Sequence, residues 1–335
     1  MYDIITVGSA TMDVFAHTNF SEIIKIKEPE KETELIAYPM GSKILISELR
    51  FTTGGGGTNT AVALARLGHK TAWIGKLGRD ANSEIILREL KKEGVDSLAV
   101  YGRGFTGYSV ILDSIEHDRT ILAYKGENDN LRFNELNLKK IKAQWFYFSS
   151  MLRDSFVTLE RLAEYAERNR INVALNISPY LAQQGEKLLG KILSKTSILV
   201  LNDEEARLLT GEHVLERQFL KILNYGVKII AITLGKNGAT ASDGRYLYRI
   251  KARKVKVIES TGAGDAFASG FLSGLLKKND IEFALKIGKV NAESVITHPG
   301  AKEKLLTYKE ALGMVKKYPA YVNREKFKAG EVSRK

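Results

Sequence analysis

Residues 259–271 read Glu259-Ser260-Thr261-Gly262-Ala263-Gly264-Asp265, followed by Ala266-Phe267-Ala268-Ser269-Gly270-Phe271. The glycines predict a turn, and the apolar residues beyond Asp265 predict a helix that begins at the end of it. The first backbone amides of a helix have no partner within it, and they point to the end where the helix dipole favours negative charge. The segment therefore predicts an anion-binding site formed by the amides of Gly262, Ala263 and Gly264.

Asp265 stands at the rim of this predicted anion site. Its carboxylate would repel a phosphate if the site served only to bind one, but a carboxylate beside a reacting hydroxyl can take the hydroxyl proton. We therefore interpret the segment as a centre for phosphoryl transfer to a hydroxyl group. Asp265 would be the base, and the amides would stabilise charge on the phosphoryl group.

The composition indicates a globular protein without cysteine chemistry. The chain has 335 residues, 44% of them apolar, which allows a large core in one α/β domain or in two domains. Because it has no cysteine and only five scattered histidines, any metal is expected to be bound by oxygen. No apolar run reaches the roughly 18 residues of a membrane helix, and Asp3 stands where a signal peptide would be basic. A cytoplasmic protein without a membrane partner is the expectation.

The net charge of +12 is concentrated at the C-terminus. Residues 302–335 hold ten Lys or Arg against four acidic residues, which is half of the excess. A helix over residues 307–317 and a basic tail over residues 321–335, frayed over residues 331–335, account for it. A solvated basic face or attraction of a polyanion such as ATP explains this charge. No nucleic-acid partner is expected, since the chain has neither a zinc finger nor an RNP-type motif.

Short apolar runs alternate with helical patterns along the chain. Runs that are apolar throughout suit strands buried on both faces of a sheet. The pattern predicts the α/β class with a mostly parallel sheet covered by helices, and no linker divides it into independent domains. The six runs are Ile4-Ile5-Thr6-Val7, Thr71-Ala72-Trp73-Ile74, Trp145-Phe146-Tyr147-Phe148, Val173-Ala174-Leu175, Ile198-Leu199-Val200-Leu201 and Ile229-Ile230-Ala231-Ile232.

Two segments interrupt this alternation. Residues 17–51 and 104–125 have the pattern of antiparallel strands and loops, which suits either a small β-lid or edge strands of the main sheet. In the lid interpretation, residues 1–16, 52–103 and 126–320 form the core.

Small and polar residues directly follow the predicted strands. In open α/β sheets, ligands bind beyond the carboxyl ends of the strands. Residues at these ends are therefore expected to converge on one site; they are Gly8, Gly75, Ser149, Asn176, Asn202 and Gly235.

A run of four glycines from Gly54 to Gly57 precedes Asn59 and a helical pattern. Glycines let a backbone approach a ligand closely, and the Asn59 amide suits hydroxyl groups, but a hinge or a close-packed turn would use similar residues. Asp13 is either another ligand for sugar hydroxyls or a cap for the turn that follows it.

Two further strand ends carry candidate residues. Asn202 and Glu205 share one face of the next helix, which suits the orientation of water on Mg²⁺, although acids at a helix start also complement its dipole. The loop after the last apolar run either brackets a nucleotide or forms an ordinary hairpin turn; it reads Thr233-Leu234-Gly235-Lys236-Asn237-Gly238-Ala239. The chain has no Gly-x-x-x-x-Gly-Lys-Ser/Thr and no complete Gly-x-Gly-x-x-Gly, which argues against a P-loop and a Rossmann site.

In their order and spacing these motifs resemble the ribokinase-like (PfkB) family of carbohydrate and nucleoside kinases. The resemblance extends from residue 2 to about residue 318 and includes both signature regions of the family. It implies a three-layer α/β/α domain with a small β-lid, the use of ATP and Mg²⁺, and phosphorylation of a primary alcohol on a sugar or a nucleoside.

The resemblance also assigns roles by position. Asp265 would be the base beside the amides of the anion site, and Asn202 and Glu205 would hold hydrated Mg²⁺ near the phosphates. The acceptor hydroxyls would be bound by Asp13, Gly54, Gly55 and Asn59. The ATP site would be lined by Asn202, Thr233, Gly235, Gly238 and Asn291.

The chain departs from the family signature at one point. The signature usually begins with Asp-Thr, whereas this chain has Glu259-Ser260. In relatives that are activated by potassium this part of the loop helps to hold the ion, so the longer Glu259 side chain leaves activation by K⁺ open.

Several acceptor classes remain open within this family. Asp13 and Asn59 suit a neutral sugar, of the ribose, fructose or ketodeoxy-sugar type, or a nucleoside. A sugar phosphate is less favoured, because the cations that would bind its phosphate are better explained as surface residues; they are Arg103, Arg119 and Arg153.

Two alternatives to a sugar kinase remain. The first is a nucleoside kinase, and the second is a sugar or nucleoside sensor without catalysis, against which the intact Asp265 argues. Because lid strands in this family often pair subunits, a homodimer through residues 17–51 and 104–125 is also expected.

Overall fold

The computed structural model describes residues 1–18, 20, 22–28, 31–113 and 119–327. The predicted fraying of residues 331–335 lies outside the described residues, as does the basic tail from residue 328 onward. Within these ranges the strands are β1 (Tyr2–Val7), β2 (Thr11–His17), β3 (Glu22–Glu28), β4 (Lys31–Ala37), β5 (Glu48–Gly54), β6 (Thr71–Ile74), β7 (Lys76–Leu77), β8 (Asp96–Ser97), β9 (Val100–Tyr101), β10 (Gly107–Asp113), β11 (Arg119–Tyr124), β12 (Ala143–Phe148), β13 (Asn172–Asn176), β14 (Ile198–Asn202), β15 (Ile229–Thr233), β16 (Ala239–Ser242), β17 (Tyr246–Ile250) and β18 (Val322–Lys326).

The helices of the described ranges cover most of the connections between the strands. None of them is both long enough and apolar enough to cross a membrane. They are α1 (Gly56–Arg66), α2 (Ala81–Lys92), α3 (Arg153–Arg168), α4 (Pro179–Ala182), α5 (Gly185–Leu193), α6 (Asp203–Thr210), α7 (Leu215–Asn224), α8 (Ala263–Lys278), α9 (Ile281–Val295) and α10 (Tyr308–Lys317).

The large sheet joins ten of the described strands in the order β18-β17-β16-β15-β14-β13-β12-β1-β6-β8. The six predicted apolar runs form its parallel centre, from β15 to β6. At one edge, β16, β17 and β18 extend the sheet in antiparallel pairing. The prediction of an α/β fold with a mostly parallel sheet is confirmed.

Neighbouring residues of the central strands face two different hydrophobic layers. Phe146 and Phe148 of β12 pack in a cluster that includes residues of α3, α5, α6 and α7, whereas Tyr147 packs in a cluster with residues of α1, α8 and α9. Both faces of the sheet are thus covered by helices, which explains why the central runs of these strands are almost entirely apolar. The molecule has the predicted three-layer α/β/α arrangement.

A second, smaller sheet has the order β11-β10-β2-β5. None of its strands pairs with the large sheet within the residues that the structure describes. Its bounds differ from the sequence pattern, because all of β2 except His17 lies in the range 1–16 assigned to the core and β5 continues past residue 51 to Gly54. The hairpin of β3 and β4 lies between β2 and β5 in the sequence. The function of this sheet as a lid stays a prediction.

The C-terminal basic segment is part of the large sheet as far as Lys326. Thr307 caps α10 with a hydrogen bond from the Glu310 amide, in agreement with the predicted helix. The segment predicted as a tail instead forms β18, which pairs with β17. Residues 323–326 are exposed, and a charged edge strand of this kind resists pairing with other chains.

Candidate active site

The glycine at the end of β1 lies against the glycine run. A Cβ on Gly8 would lie 2.7 Å from the Cβ of Ser149 and 2.8 Å from the Cα of Gly57. The start of α1 therefore approaches the carboxyl ends of β1 and β12 closely. Of the six residues predicted to converge, Gly8 and Ser149 meet here, Gly75 lies beside Gly8, and Asn202 and Gly235 line a second part of the same edge. Asn176 instead donates a hydrogen bond to the carbonyl of Val200 at 2.9 Å.

The predicted anion loop adopts a conformation that only glycine accommodates at Gly262. Gly262 has a φ of 78° and precedes the first turn of α8. A Cβ there would lie 2.6 Å from the Cβ of Ala301, so both the backbone and the neighbouring loop require its absence. The Ala263 amide donates to the Ser260 carbonyl at 3.2 Å, a long hydrogen bond within the turn, and Gly264 is exposed.

Asp265 lies in the first turn of α8, where Asn59 of α1 contacts it. The Asn59 Nδ2 donates to the Asp265 Oδ2 at 2.8 Å. Burial raises the pKa of Asp265 to about 6, while the Asn59 hydrogen bond and the Lys302 charge act in the opposite direction. A base with a pKa in this range is ionised at neutral pH and still basic enough to accept a proton.

Asn59 has one further polar atom that faces the same region. Its side chain is 5% exposed, and its Oδ1 is buried with no hydrogen-bond partner among the described residues. A buried acceptor without a donor costs about 1–3 kcal/mol. The arrangement therefore favours a ligand that donates a hydrogen bond at this point.

The glycine run serves both close packing and access to Asp265. Gly55 has a φ of 96°, and a Cβ on Gly57 would lie 2.5 Å from the carbonyl carbon of Gly8. A Cβ on Gly56 would overlap the Ser149 Oγ and lie 3.5 Å from the Asp265 Oδ1. The close packing that the sequence analysis gave as an alternative for the glycine run is thus present. In addition, the absence of a side chain at Gly56 leaves the space in front of Asp265 open.

Asp13 projects from β2 of the second sheet toward the end of β5. A Cβ on Gly54 would overlap the Asp13 carboxylate, so this glycine makes room for it. Burial raises the pKa of Asp13; hydrogen bonds from Ser109 and Thr11 oppose the rise, as does the Lys302 charge. The Asp13 carboxylate is thus partly desolvated and lies near the glycine run, a placement that is compatible with accepting a hydrogen bond from a hydroxyl group.

Lys302 is a residue of this region that the sequence pattern does not single out. It is 6% exposed, and its Nζ donates to the Thr53 Oγ1 and to the Glu89 Oε2, both at 2.8 Å. Its charge also acts on both Asp13 and Asp265. The residues around it in the sequence give no signal for this position.

Two of the three cations considered for a phosphate are exposed residues, as the sequence interpretation expects. Arg103 is exposed, and 81% of the Arg153 side chain is exposed. The side chain of Arg119 lies outside the described part of the chain.

Asn202, Thr233 and Gly235 come together at the other end of the sheet edge. They line a cavity of about 340 Å³ together with Asp203 and Asn237. The loop between β15 and β16 is a hairpin, with Gly235 at a φ of 55° and Gly238 at 98°. A Cβ on Gly238 would overlap the carbonyl oxygen of Ile250, so this glycine keeps the loop against β17.

Asn202 and Glu205 cap the start of α6. The Glu205 amide donates to the Asn202 Oδ1, and the Asn202 amide donates to the Glu205 Oε2, both at 2.8 Å. Burial raises the pKa of Glu205 to about 7; the Asn202 amide opposes this rise, and the charges of Glu204 and Asp265 add to it. The capping role expected as the alternative is therefore present, and the role in holding Mg²⁺ stays a prediction.

Asn291 is fully buried and holds two segments together. Its Nδ2 donates to the Ala266 carbonyl at 2.8 Å, and its Oδ1 accepts from the Leu306 amide at 3.0 Å. A direct contact with ATP, as the resemblance implies, would require these hydrogen bonds to be given up. In this conformation Asn291 supports the first turns of α8 from behind.

Comparison with known proteins agrees with this architecture. The model of the pfkB family carbohydrate kinases matches residues 22–307. An uncharacterized sugar kinase of Archaeoglobus fulgidus is 31% identical over 250 residues, which cover 73% of this chain and 98% of that protein. A ribokinase of Haemophilus influenzae is 30% identical over 269 residues, which cover 77% of this chain and 86% of that protein.

The fold of the chain is also that of a solved kinase structure. The crystal structure of a ribokinase of Thermotoga maritima has a TM-score of 0.78 at 22% identity and covers 94% of this chain and 100% of that one. The use of ATP and Mg²⁺ is general among such kinases. The chain therefore belongs to the pfkB family of carbohydrate kinases and is a phosphotransferase that acts on an alcohol group.

Proposed function

We propose that the protein transfers the γ-phosphoryl group of ATP to a hydroxymethyl group of a neutral sugar, with Asp265 as the base. The observation that carries this proposal is the pairing of Asn59 with Asp265. The amide of Asn59 holds the carboxylate at 2.8 Å, and its buried Oδ1, which has no donor among the described residues, is the atom that we assign to a sugar hydroxyl. One side chain thus orients both the base and the group that the base deprotonates.

In this mechanism Asp265 takes the proton of the acceptor hydroxyl as its oxygen forms a bond to the γ-phosphorus. The bond between that phosphorus and the β,γ-bridging oxygen breaks, and ADP leaves. The first-turn amides after Gly262 stabilise charge on the transferred group, and the proton passes from Asp265 to solvent afterwards. Positioning and electrostatics account for most of the rate, since the protein forms no covalent intermediate.

Asn202 and Glu205 are the residues proposed to hold Mg²⁺ through water. The donor set fits a hard cation, because both side chains offer oxygen atoms, and a cation would relieve the repulsion between Glu205 and Asp265. Mg²⁺, when bound with ATP, neutralises charge on the phosphates. Thr233 and Gly235, which line the cavity with Asn202, are proposed to contact the nucleotide, with Gly238 shaping their loop.

The charges around Asp13 favour a neutral acceptor. Two cations of this region have acidic partners: Lys302 pairs with Glu89 at 2.8 Å, and Arg50 lies 3.3 Å from Glu259. Neither cation is therefore left to balance a phosphate or carboxylate on the acceptor. A neutral polyol brings no charge that would need a cation, and its hydroxyls can donate hydrogen bonds to Asp13.

The aromatic surface near Asp13 favours a sugar over a nucleoside. Phe15 lies on the same face of β2 as Asp13, but the guanidinium of Arg50 covers its ring, 4.3 Å from the ring centre. A nucleobase would need an apolar or aromatic wall of its own. We therefore rank a neutral sugar first and keep a nucleoside as the alternative.

The test is ADP release from ATP with each of six acceptors at saturation: ribose, fructose, 2-keto-3-deoxygluconate, adenosine, cytidine and fructose 6-phosphate. We expect kcat/KM to be highest for one of the neutral sugars. Faster turnover of adenosine or cytidine would support the nucleoside alternative. Binding of a sugar without turnover of any acceptor would instead support a sensor and contradict the proposal.

We also propose that the protein forms a homodimer through the face of the second sheet opposite Asp13. This face exposes large apolar side chains on its two outer strands: Leu49 (51%), Phe51 (59%), Leu122 (56%) and Tyr124 (54%). Large apolar side chains exposed on one face of a sheet are typical of a protein interface. Light scattering should give twice the chain mass of 37.3 kDa, and Phe51→Asp should give the monomer mass. A monomeric wild-type protein would rule this dimer out.

A further inference from the structure

Glu259, the residue at which the chain departs from the family signature, joins three separate segments. Its Oε2 accepts the amide hydrogen of Gly300 at 2.8 Å and lies 3.3 Å from the Nη2 of Arg50. Only 8% of the Glu259 side chain and 31% of the Arg50 side chain are exposed. The contact therefore connects β5 of the second sheet to the start of the anion loop and to the loop at Gly300.

Arg50 lies on the face of the second sheet that carries Asp13. The antiparallel register places Thr52 opposite Asp13 and Arg50 opposite Phe15, and residues that are opposite each other, or two apart, share a face. The contact between Arg50 and the Phe15 ring holds the guanidinium against this face. Arg50 therefore contacts both the face that carries Asp13 and the Glu259 carboxylate, so a shift of this face would also move the cation beside Glu259.

The other end of the connection reaches the first turn of α8. Gly300 precedes Ala301, which occupies the space where Gly262 would carry a Cβ, so the loop rests directly on the glycine that begins the anion site. The Nζ of Lys302 donates to the Thr53 Oγ1 and ties the same loop to β5 a second time. The direction of the amides after Gly262 therefore depends on where β5 lies.

We propose that Arg50 is a positioning residue that couples the acceptor-binding face of the second sheet to the anion site through Glu259 and Gly300. The coupling rests on the proposed kinase function. This coupling keeps the acceptor hydroxyl, bound at Asp13, at a fixed position relative to the amides that bind the phosphoryl group. Small misplacements matter in such a site, since a displacement of about 1 Å can lower the rate by about 10²-fold.

A purely structural role for the ion pair makes a different prediction. Because the Glu259 side chain is only 8% exposed, Arg50→Ala leaves a nearly buried carboxylate without this cation and should unfold at a lower temperature than the wild type, so the kinetic comparison is what separates the two roles. Arg249→Ala serves as the control, because the Arg249 side chain is also 31% exposed and pairs with acidic residues, Glu216 at 2.7 Å and Glu325, on β17 far along the large sheet. A general loss of an ion pair affects both variants alike, whereas the coupling affects Arg50→Ala alone.

The kinetic test compares wild type, Arg50→Ala, Glu259→Gln, the double variant and Arg249→Ala with ATP and the fastest of the six acceptors. We expect Arg50→Ala to lower kcat by about tenfold or more while the KM for ATP stays unchanged. Glu259→Gln can still accept the Gly300 hydrogen bond but loses the charge, and it should lower kcat to a similar extent. The double variant should show no further loss. Losses that multiply, or a wild-type kcat in folded Arg50→Ala, would overturn the proposal.

A second measurement does not depend on the acceptor. Amide hydrogen exchange in a peptide that covers residues 260–266 should be faster in Arg50→Ala than in the wild type and unchanged in Arg249→Ala. If the wild type phosphorylates none of the six acceptors, the proposed function fails, but the exchange measurement still decides on the coupling. Unchanged exchange in Arg50→Ala would then show that no coupling exists.

Discussion

The Asn59 Nδ2 lies 2.8 Å from the Asp265 Oδ2, although 206 residues separate them in the chain. Each residue belongs to a motif that has an ordinary structural explanation when taken alone: a glycine-rich turn before α1 and a glycine-rich turn before α8. Their hydrogen bond places the starts of two helices against one carboxylate. Burial then raises the pKa of that carboxyl group to about 6, which an isolated aspartate at a helix start would not show.

Asp265→Asn should lower kcat by at least about 10²-fold, the low end for the loss of a positioned base. ATP binding should be retained, because the amides after Gly262 remain in place. The variant should also unfold at a higher temperature at pH 7.5, since it removes a buried charge whose desolvation disfavours folding. Steady-state kinetics, ATP titration and thermal unfolding on the same samples check all three. A variant that turns over like the wild type would show that Asp265 is not the base.

The rate should depend on pH as the raised pKa of Asp265 requires. The base must be ionised, so kcat/KM should be level above pH 7 and should fall below about pH 6, by about tenfold per pH unit. The effect on stability has the opposite sense: the cost of the buried charge is fully present above the folded pKa and fades as the pH falls to the usual aspartate value. A pH profile between 5 and 8, with initial rates checked for stability of the enzyme, tests this. A rate that stays level down to pH 5 would contradict it.

Asn59→Ala should change both the acceptor constant and the pH profile. The hydrogen bond from Asn59 lowers the pKa of Asp265, so its loss should move the acidic limb of kcat/KM to higher pH. Loss of the Oδ1 acceptor should raise the KM for the sugar by about fivefold or more, as expected when one buried hydrogen bond is removed. The KM for ATP serves as the internal control and should not change. If neither the acidic limb of the kcat/KM profile nor the KM for the sugar changed, Asn59 would have no role in the site.

Gly262→Ala and Gly264→Ala form a matched pair in the anion loop. An alanine at Gly262 meets a φ of 78° and the Ala301 side chain, so the loop must move and activity should fall by about tenfold or more. At Gly264 a Cβ meets no atom within 4 Å, and alanine there should leave the rate within about twofold while favouring the helix. Kinetics and thermal unfolding of the two variants decide the point. Equal effects of the two substitutions would show that the anion site does not depend on the backbone conformation and the missing Cβ at Gly262.

The elements that could be predicted from the sequence are those in which the residue type reflects the local environment. The central runs of strands such as β12 and β14 are apolar because helices cover both faces, and the glycines at Gly55 and Gly262 stand where φ is positive. The segment Val322-Asn323-Arg324-Glu325-Lys326 gave no such signal. As an exposed edge strand it has no buried face to impose an apolar pattern.

The sequence was not sufficient for contacts between distant charged residues. Arg50 and Lys302 each resemble a surface charge in the local pattern, and only the fold brings Arg50 to Glu259 and Lys302 to Glu89. Asn291 illustrates the reverse case. Its position suggested a nucleotide ligand, whereas its hydrogen bonds with Ala266 and Leu306 hold α8 in place.

The surroundings of Glu259 lead to a prediction on monovalent cations. The resemblance leaves K⁺ activation open, because the first part of this loop helps to hold the ion in potassium-activated relatives. In this chain the Glu259 carboxylate already receives the Gly300 amide at 2.8 Å and lies beside the Arg50 guanidinium. A cation bound there would meet the positive charge of Arg50 at short range, which disfavours binding. We therefore expect kcat to be independent of the monovalent cation.

The measurement compares kcat in KCl, NaCl and tetramethylammonium chloride at equal ionic strength. The three rates should agree within about twofold, the size of a general salt effect on exposed charges. Arg50→Lys provides the internal comparison, because it keeps the positive charge and should keep the rate independent of K⁺. Arg50→Ala removes that charge beside an acidic side chain that is 8% exposed, so any K⁺ activation should emerge in this variant first. Strong activation of the wild type by K⁺ alone would show that Arg50 does not occupy the place of the ion.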